Sequence, residues 1–137
     1  MNESKKRNVP LQAAALVAVL FGVLTIASGG RTLFGGQAAR DAAGAIVPFV
    51  LWFNFAAGFA YVVAGLGLWA QRRWSVPLAV FIAIATGLVF AAFGLHVLTG
   101  GAYEARTAGA MTLRTLVWGV IAWVGRRTLK RPVVQHR

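Results

Sequence analysis

The side chains able to do chemistry are few, and one stretch gathers a histidine, a carboxylate and two arginines. The chain holds three carboxylates (Glu3, Asp41 and Glu104), two histidines (His96 and His136) and no cysteine. Residues 96–114, HVLTGGAYEARTAGAMTLR, bring His96, Glu104, Arg106 and Arg114 together between apolar runs. An arginine inside a membrane span costs about 2.5–3.5 kcal/mol unless it snorkels to the interface or meets a counter-charge. Arg114 therefore calls for a carboxylate. Glu104 is the expected partner, in a structural ion pair Glu104–Arg114, with Asp41 in reserve. Asn54 and Tyr61 lie on the preceding apolar run, and Asn54 would descend roughly 10 Å from the same end, seven residues below Val47. The candidate ligand-binding set is Asn54, Tyr61, His96, Glu104 and Arg114.

These residue types exclude several chemistries. Without cysteine there is no disulfide, thiolate nucleophile or CxxC redox pair. Bis-histidine haem ligation needs two histidines on one side of a membrane, and His136 falls in the tail opposite His96. Zinc or copper needs three or four ligands, whereas His96, Glu104 and Met111 are all this stretch offers. No Ser-His-Asp set, H-E-x-x-H motif or phosphate loop is present. A proton relay from His96 to Glu104 has nothing to carry it onward through the other leaflet. No catalytic residue, metal or cofactor is assigned.

The elements that must position these residues are membrane spans. Apolar types make up 58% of the 137 residues, too many for a soluble domain of this size to hide. A helix crosses the hydrocarbon core with about 20 mostly apolar residues. Four such runs occur, at about 11–28, 47–70, 75–98 and 107–125, with Pro10 and Pro77 placed to start helices. The fourth is long enough only if it begins near Thr107, which draws Arg114 inside. The expected fold is an all-α integral membrane four-helix bundle over residues 10–130, with basic tails at 1–9 and 131–137. A cleaved signal peptide is the rival reading of the first run, but that run exceeds the usual 7–15 apolar residues. It is expected to remain as a span.

The net charge of +11 does not indicate nucleic acid, because the charges sit at the ends of apolar runs instead of forming a basic stripe. Lys5, Lys6, Arg7, Arg72, Arg73, Arg126, Arg127, Lys130, Arg131 and Arg137 fall on one side, and Arg31, Arg40, Arg106 and Arg114 on the other. Lysine and arginine accumulate in cytoplasmic loops, so both termini are expected to be cytoplasmic. Trp69, Trp74 and Trp123 would then mark the inner interface and Trp52 the outer one. The glycine pairs at 29–30, 35–36 and 100–101 read as turns, and QAARDAAGA as a short surface helix. Asn54, Gly58, Tyr61 and Gly65 form one helical stripe, and Ala83, Gly87, Ala91 and Gly94 another. Both read as faces for close helix packing.

The pattern WFNFAAGFAYVVAGLGL followed by H…GGAYEARTAGAMTLRTLVW, roughly Trp52 to Trp118, resembles an uncharacterised family of small four-span bacterial inner-membrane proteins. That resemblance singles out Asn54, Gly58, Tyr61, His96, Glu104 and Arg114, and implies no particular activity. The likeness to DoxX-like proteins is architectural only. Two functions follow as expectations. In one, an outer-leaflet polar pocket binds a quinone, lipid headgroup or small solute, as an accessory redox or transport factor. In the other, the protein is a non-catalytic subunit or assembly factor and the polar cluster is structural. The expected partners are the lipid bilayer and other membrane proteins or further copies of the chain. The expected location is the bacterial inner membrane.

Overall fold

A computed structural model of the protein describes residues 9–129. The basic tails at 1–8 and 130–137, with Lys5, Lys6, Arg7, Lys130, Arg131, His136 and Arg137, lie outside the described residues. Four long helices, α1 (Val9–Phe34), α3 (Pro48–Trp69), α4 (Ser75–Leu98) and α5 (Ala105–Thr128), form an up-and-down bundle, and a short helix α2 (Gln37–Ala43) follows α1. All four long helices have the length and composition to cross a membrane. Even α3, with 22 residues, rises about 33 Å against a core of about 30 Å. Leu20, Leu24, Phe81, Leu88, Leu116 and Trp123 stand exposed on the outside. That is the surface expected of a bundle whose solvent is lipid.

Glycines set how closely the helices approach. α1 packs most extensively against α3. A Cβ at Gly22 would lie 2.7 Å from the Gly58 carbonyl oxygen, and one at Gly65 2.6 Å from Val19 Cγ2. The backbones are therefore as close as hydrogen side chains allow, the usual route to helix association where apolar area alone gives no preference. The stripe on α3 faces α1 as expected. The stripe on α4 differs: Ala83 packs against the core, but Gly87 and Gly94 have only open space where a Cβ would stand. α4 instead touches α3 and α5 on another face, and the ring closes least tightly between α1 and α5.

Gly29 and Gly30 also depart from expectation. They lie within α1, which runs on to Phe34. A Cβ at Gly29 would stand 3.2 Å from Phe55 Cβ, so these glycines serve a helix contact and the turn waits for Gly35 and Gly36. The α4–α5 turn does use its glycine pair. Gly101 N–H donates to His96 O at 2.9 Å and Gly100 N–H to Val97 O at 3.0 Å, with Gly100 at φ 87°. This is a Schellman cap with glycine in its left-handed position. The core centres on fully buried Trp118 and Tyr61, and a smaller cluster joins Val47, Val50, Phe93 and Met111. Met111, offered above as a weak metal ligand, is a core side chain.

Candidate functional site

The end of the bundle bearing α2 and the α4–α5 turn holds a cavity of about 510 Å³. Arg31 of α1, Asn54 of α3, Glu104 and Arg106 at the start of α5 and Arg114 further along it line the cavity, with α2 along one side. Such a volume suits a small ligand.

The beginning of α5 secures that side. Glu104 occupies the N-cap position of α5 yet caps nothing with its side chain. Its Oε1 instead accepts a hydrogen bond of 2.9 Å from Ala45 N–H, across 59 residues of sequence. Gly44 makes this contact possible: it sits at φ 78°, and a Cβ there would collide with the carboxylate. Two residues on, Arg106 Nη2 reaches the carbonyl oxygens of Ala42 and Ala43, each at 3.4 Å. Glu104 and Arg106 thus hold the last turn of α2 and the loop after it. A carboxylate on an N–H and a guanidinium on carbonyls is a charge-matched arrangement.

Arg114 is held differently. Its Nη1 donates to Thr25 Oγ1 at 2.8 Å, and its guanidinium carbon lies 5.3 Å from the centre of the Phe21 ring. Both partners belong to α1. The expected Glu104–Arg114 ion pair is not formed: among the described residues no carboxylate lies within 4.0 Å of the guanidinium, and Glu104 is committed to Ala45. Asp41, the reserve, accepts from Gln37 Nε2 at 2.8 Å. The physical reason is position. Glu104 starts the helix, so its carboxylate meets the loop backbone first, while Arg114 lies about 15 Å further along the axis.

Five buried polar side-chain atoms have no partner among the described residues: Asn54 Oδ1, Tyr61 Oη, Thr86 Oγ1, Arg114 Nε and Trp118 Nε1. Each unpaired buried group costs about 1–3 kcal/mol. Asn54 and Arg114 are residues of the cavity lining, and each carries one of these unpaired atoms, an acceptor on Asn54 and a donor on Arg114. Tyr61 does not. It lies two turns further down α3, its ring 4.8 Å from that of Trp118 and edge-on to Phe21. His96 is also elsewhere. Its Nε2 lies 3.0 Å from Ala102 O and its ring packs edge-on to Phe49, tying down the α4–α5 turn. Of the five candidates, the structure brings Asn54, Glu104 and Arg114 to one cavity and leaves Tyr61 and His96 outside it.

Compared with protein-family models, curated proteins and solved structures, the chain matches none. The site therefore rests on its own geometry. Arg31 and Thr25 are the residues that sequence reasoning does not assign. A threonine amid apolar α1 residues is a visible signal for Thr25. Charge counting groups Arg31 with Arg106 and Arg114 at one end without tying it to either.

Proposed function

We propose that this small multi-pass membrane protein binds a headgroup-sized anionic ligand bearing a hydroxyl group in the α2-end cavity. The observation that carries the proposal is the charge balance there. Three guanidinium groups line the cavity against one carboxylate, and that carboxylate is already bonded to Ala45 N–H. Of the lining residues, Arg114 carries a buried, unpaired Nε–H and Asn54 a buried, unpaired acceptor. An anionic oxygen suits the arginines, which favour phosphate and carboxylate through directed N–H bonds. A hydroxyl donor suits Asn54 Oδ1. A quinone presents only acceptors, so among quinone, lipid headgroup and small solute the cavity favours the latter two. This supports an accessory binding or transport role and requires no catalytic residue.

The test is thermal unfolding in mild detergent with sn-glycerol 3-phosphate as the probe. The wild type is expected to gain stability with increasing probe, by the mass-action relation for a ligand of the folded state. Choline, a cation of similar size, should give no gain. Arg114→Gln should abolish the gain while remaining folded. Equal stabilisation of wild type and variant would refute the reading.

A second reading, as a non-catalytic subunit of a larger membrane complex, is supported by Gly87 and Gly94 on α4 and Gly109 and Gly119 on α5. They face open space, which is the surface another helix can approach closely. Leucine at Gly87 and Gly119 should then release a co-purifying partner. If the set of co-purifying proteins is unchanged, this second reading fails.

A further inference from the structure

The opposite end of the α1–α5 seam carries a second feature, independent of the cavity above. Where α1 and α5 pack least tightly, a groove of about 390 Å³ runs between Ala13 and Val17 on one side and Leu116, Val120 and Val124 on the other. Its lining is almost wholly apolar. At its mouth it continues into a second hollow that shares Pro10 and Val124 and adds Trp123, Arg127 and Thr128. There the lining turns substantially polar. The Arg127 guanidinium carbon stands 5.2 Å from the Trp123 ring centre, so a cation is fixed at the mouth by a ring that itself faces outward.

We infer that this seam holds one anionic phospholipid, its phosphate on Arg127 and one acyl chain in the groove between α1 and α5. Four observations fit this occupant. From Arg127 to Leu116 the helix rises about 16 Å, close to half of the ~30 Å hydrocarbon core, which is the depth of one leaflet's acyl chain. The polarity changes once along the groove and in the right sense, cationic at the helix end and apolar inside. The charge is complementary too: α5 ends on Arg126 and Arg127, with no acidic residue in its last turn. A tryptophan and an arginine side by side at a helix end are also the usual interfacial anchors.

The proposal predicts selective retention. Full-length protein is purified in mild detergent, mixed with phosphatidylglycerol or phosphatidylcholine of the same acyl chains, and measured by native mass spectrometry. One phosphatidylglycerol is expected to stay bound, with phosphatidylcholine retained less. Arg127→Gln should weaken phosphatidylglycerol retention about fivefold, the loss of one cationic contact at a membrane surface. Val120→Trp fills the groove from an exposed position that the core does not need, and should lower retention of both lipids. Circular dichroism and elution volume confirm that each variant is folded. Equal retention of the two lipids, or Val120→Trp without effect, would overturn the inference. So would a dimer that Val120→Trp dissociates, because a second copy would then fill the seam. An excess of sn-glycerol 3-phosphate should leave the lipid bound; displacement would place the lipid in the α2-end cavity instead and overturn the assignment, with the proposed function still standing.

Discussion

Arg114 and Glu104 each solve a local problem, but with different partners. Arg114 enters an apolar helix by bonding to Thr25 and lying against Phe21. Glu104 spends its charge on the loop N–H of Ala45. A double-mutant cycle between Glu104→Gln and Arg114→Gln reads this separation. Groups without a shared bond are expected to add, with a coupling below about 0.5 kcal/mol in reversible unfolding. A coupling of about 1 kcal/mol or more would restore the direct ion pair. At this scale the sequence reveals part of the site. It shows that Arg114 needs help and that Asn54 descends from the same end. It does not show that Arg114 finds Thr25, 89 residues away, or that the partner of Glu104 is a backbone N–H. Nothing in residue type marks a backbone group.

At the scale of elements, glycine placement divides the helices into packed and open faces. Gly22 and Gly58 sit where α1 and α3 backbones meet, and a Cβ on either would fall 2.7 Å from an atom of the other helix. Gly87 faces open space. Leucine at Gly22 or Gly58 is therefore expected to destabilise the bundle by about 1–3 kcal/mol, and leucine at Gly87 to stay within about 0.5 kcal/mol. Thermal or denaturant unfolding in one detergent compares all three; a costly Gly87→Leu alongside a neutral Gly22→Leu would contradict the packing. The four spans are legible because each apolar run is long. The faces are less so. Spacing places Gly58 and Gly65 on one stripe correctly, but the same spacing on α4 puts Gly87 and Gly94 toward a neighbour they do not meet. Periodicity defines a stripe and leaves open which way it points. Gly29 and Gly30 show the converse error: a glycine pair reads as a turn until Phe55 packs on it.

For the whole molecule, four spans with two differently charged ends form a polarised unit. The α2 end carries the arginine-lined cavity, and the α3–α4 turn end carries Arg72, Arg73, Arg126 and Arg127. We propose that the latter end is cytoplasmic, in a bacterial inner membrane, since ten lysines and arginines of the sequence, the basic tails included, fall in the loop and flanks on that side against four on the α2 side. Reporter fusions at Gly35, Arg73 and Arg137 are expected to read outside, inside and inside. An outside C-terminus would reverse the orientation. In the proposed orientation the cavity opens to the outer face, where a headgroup or solute anion reaches it without crossing the bilayer. The charge asymmetry is legible in the sequence alone. The cavity is not, because it depends on α2 being held over the bundle by Glu104 and Arg106, contacts that exist only once four helices are assembled.

If the guanidinium of Arg114 meets a ligand anion as proposed, its Nε–H reports the contact directly. Protein labelled with ¹⁵N-arginine, with the Arg114 Nε signal assigned by its loss in Arg114→Gln, is titrated with sn-glycerol 3-phosphate in detergent. A saturable shift of that signal is expected, matched by Arg31 or Arg106, while Arg72 and Arg73 at the other end stay still. An Arg114 signal unmoved through the titration, or one moving only in step with every other arginine, would contradict the proposed contact.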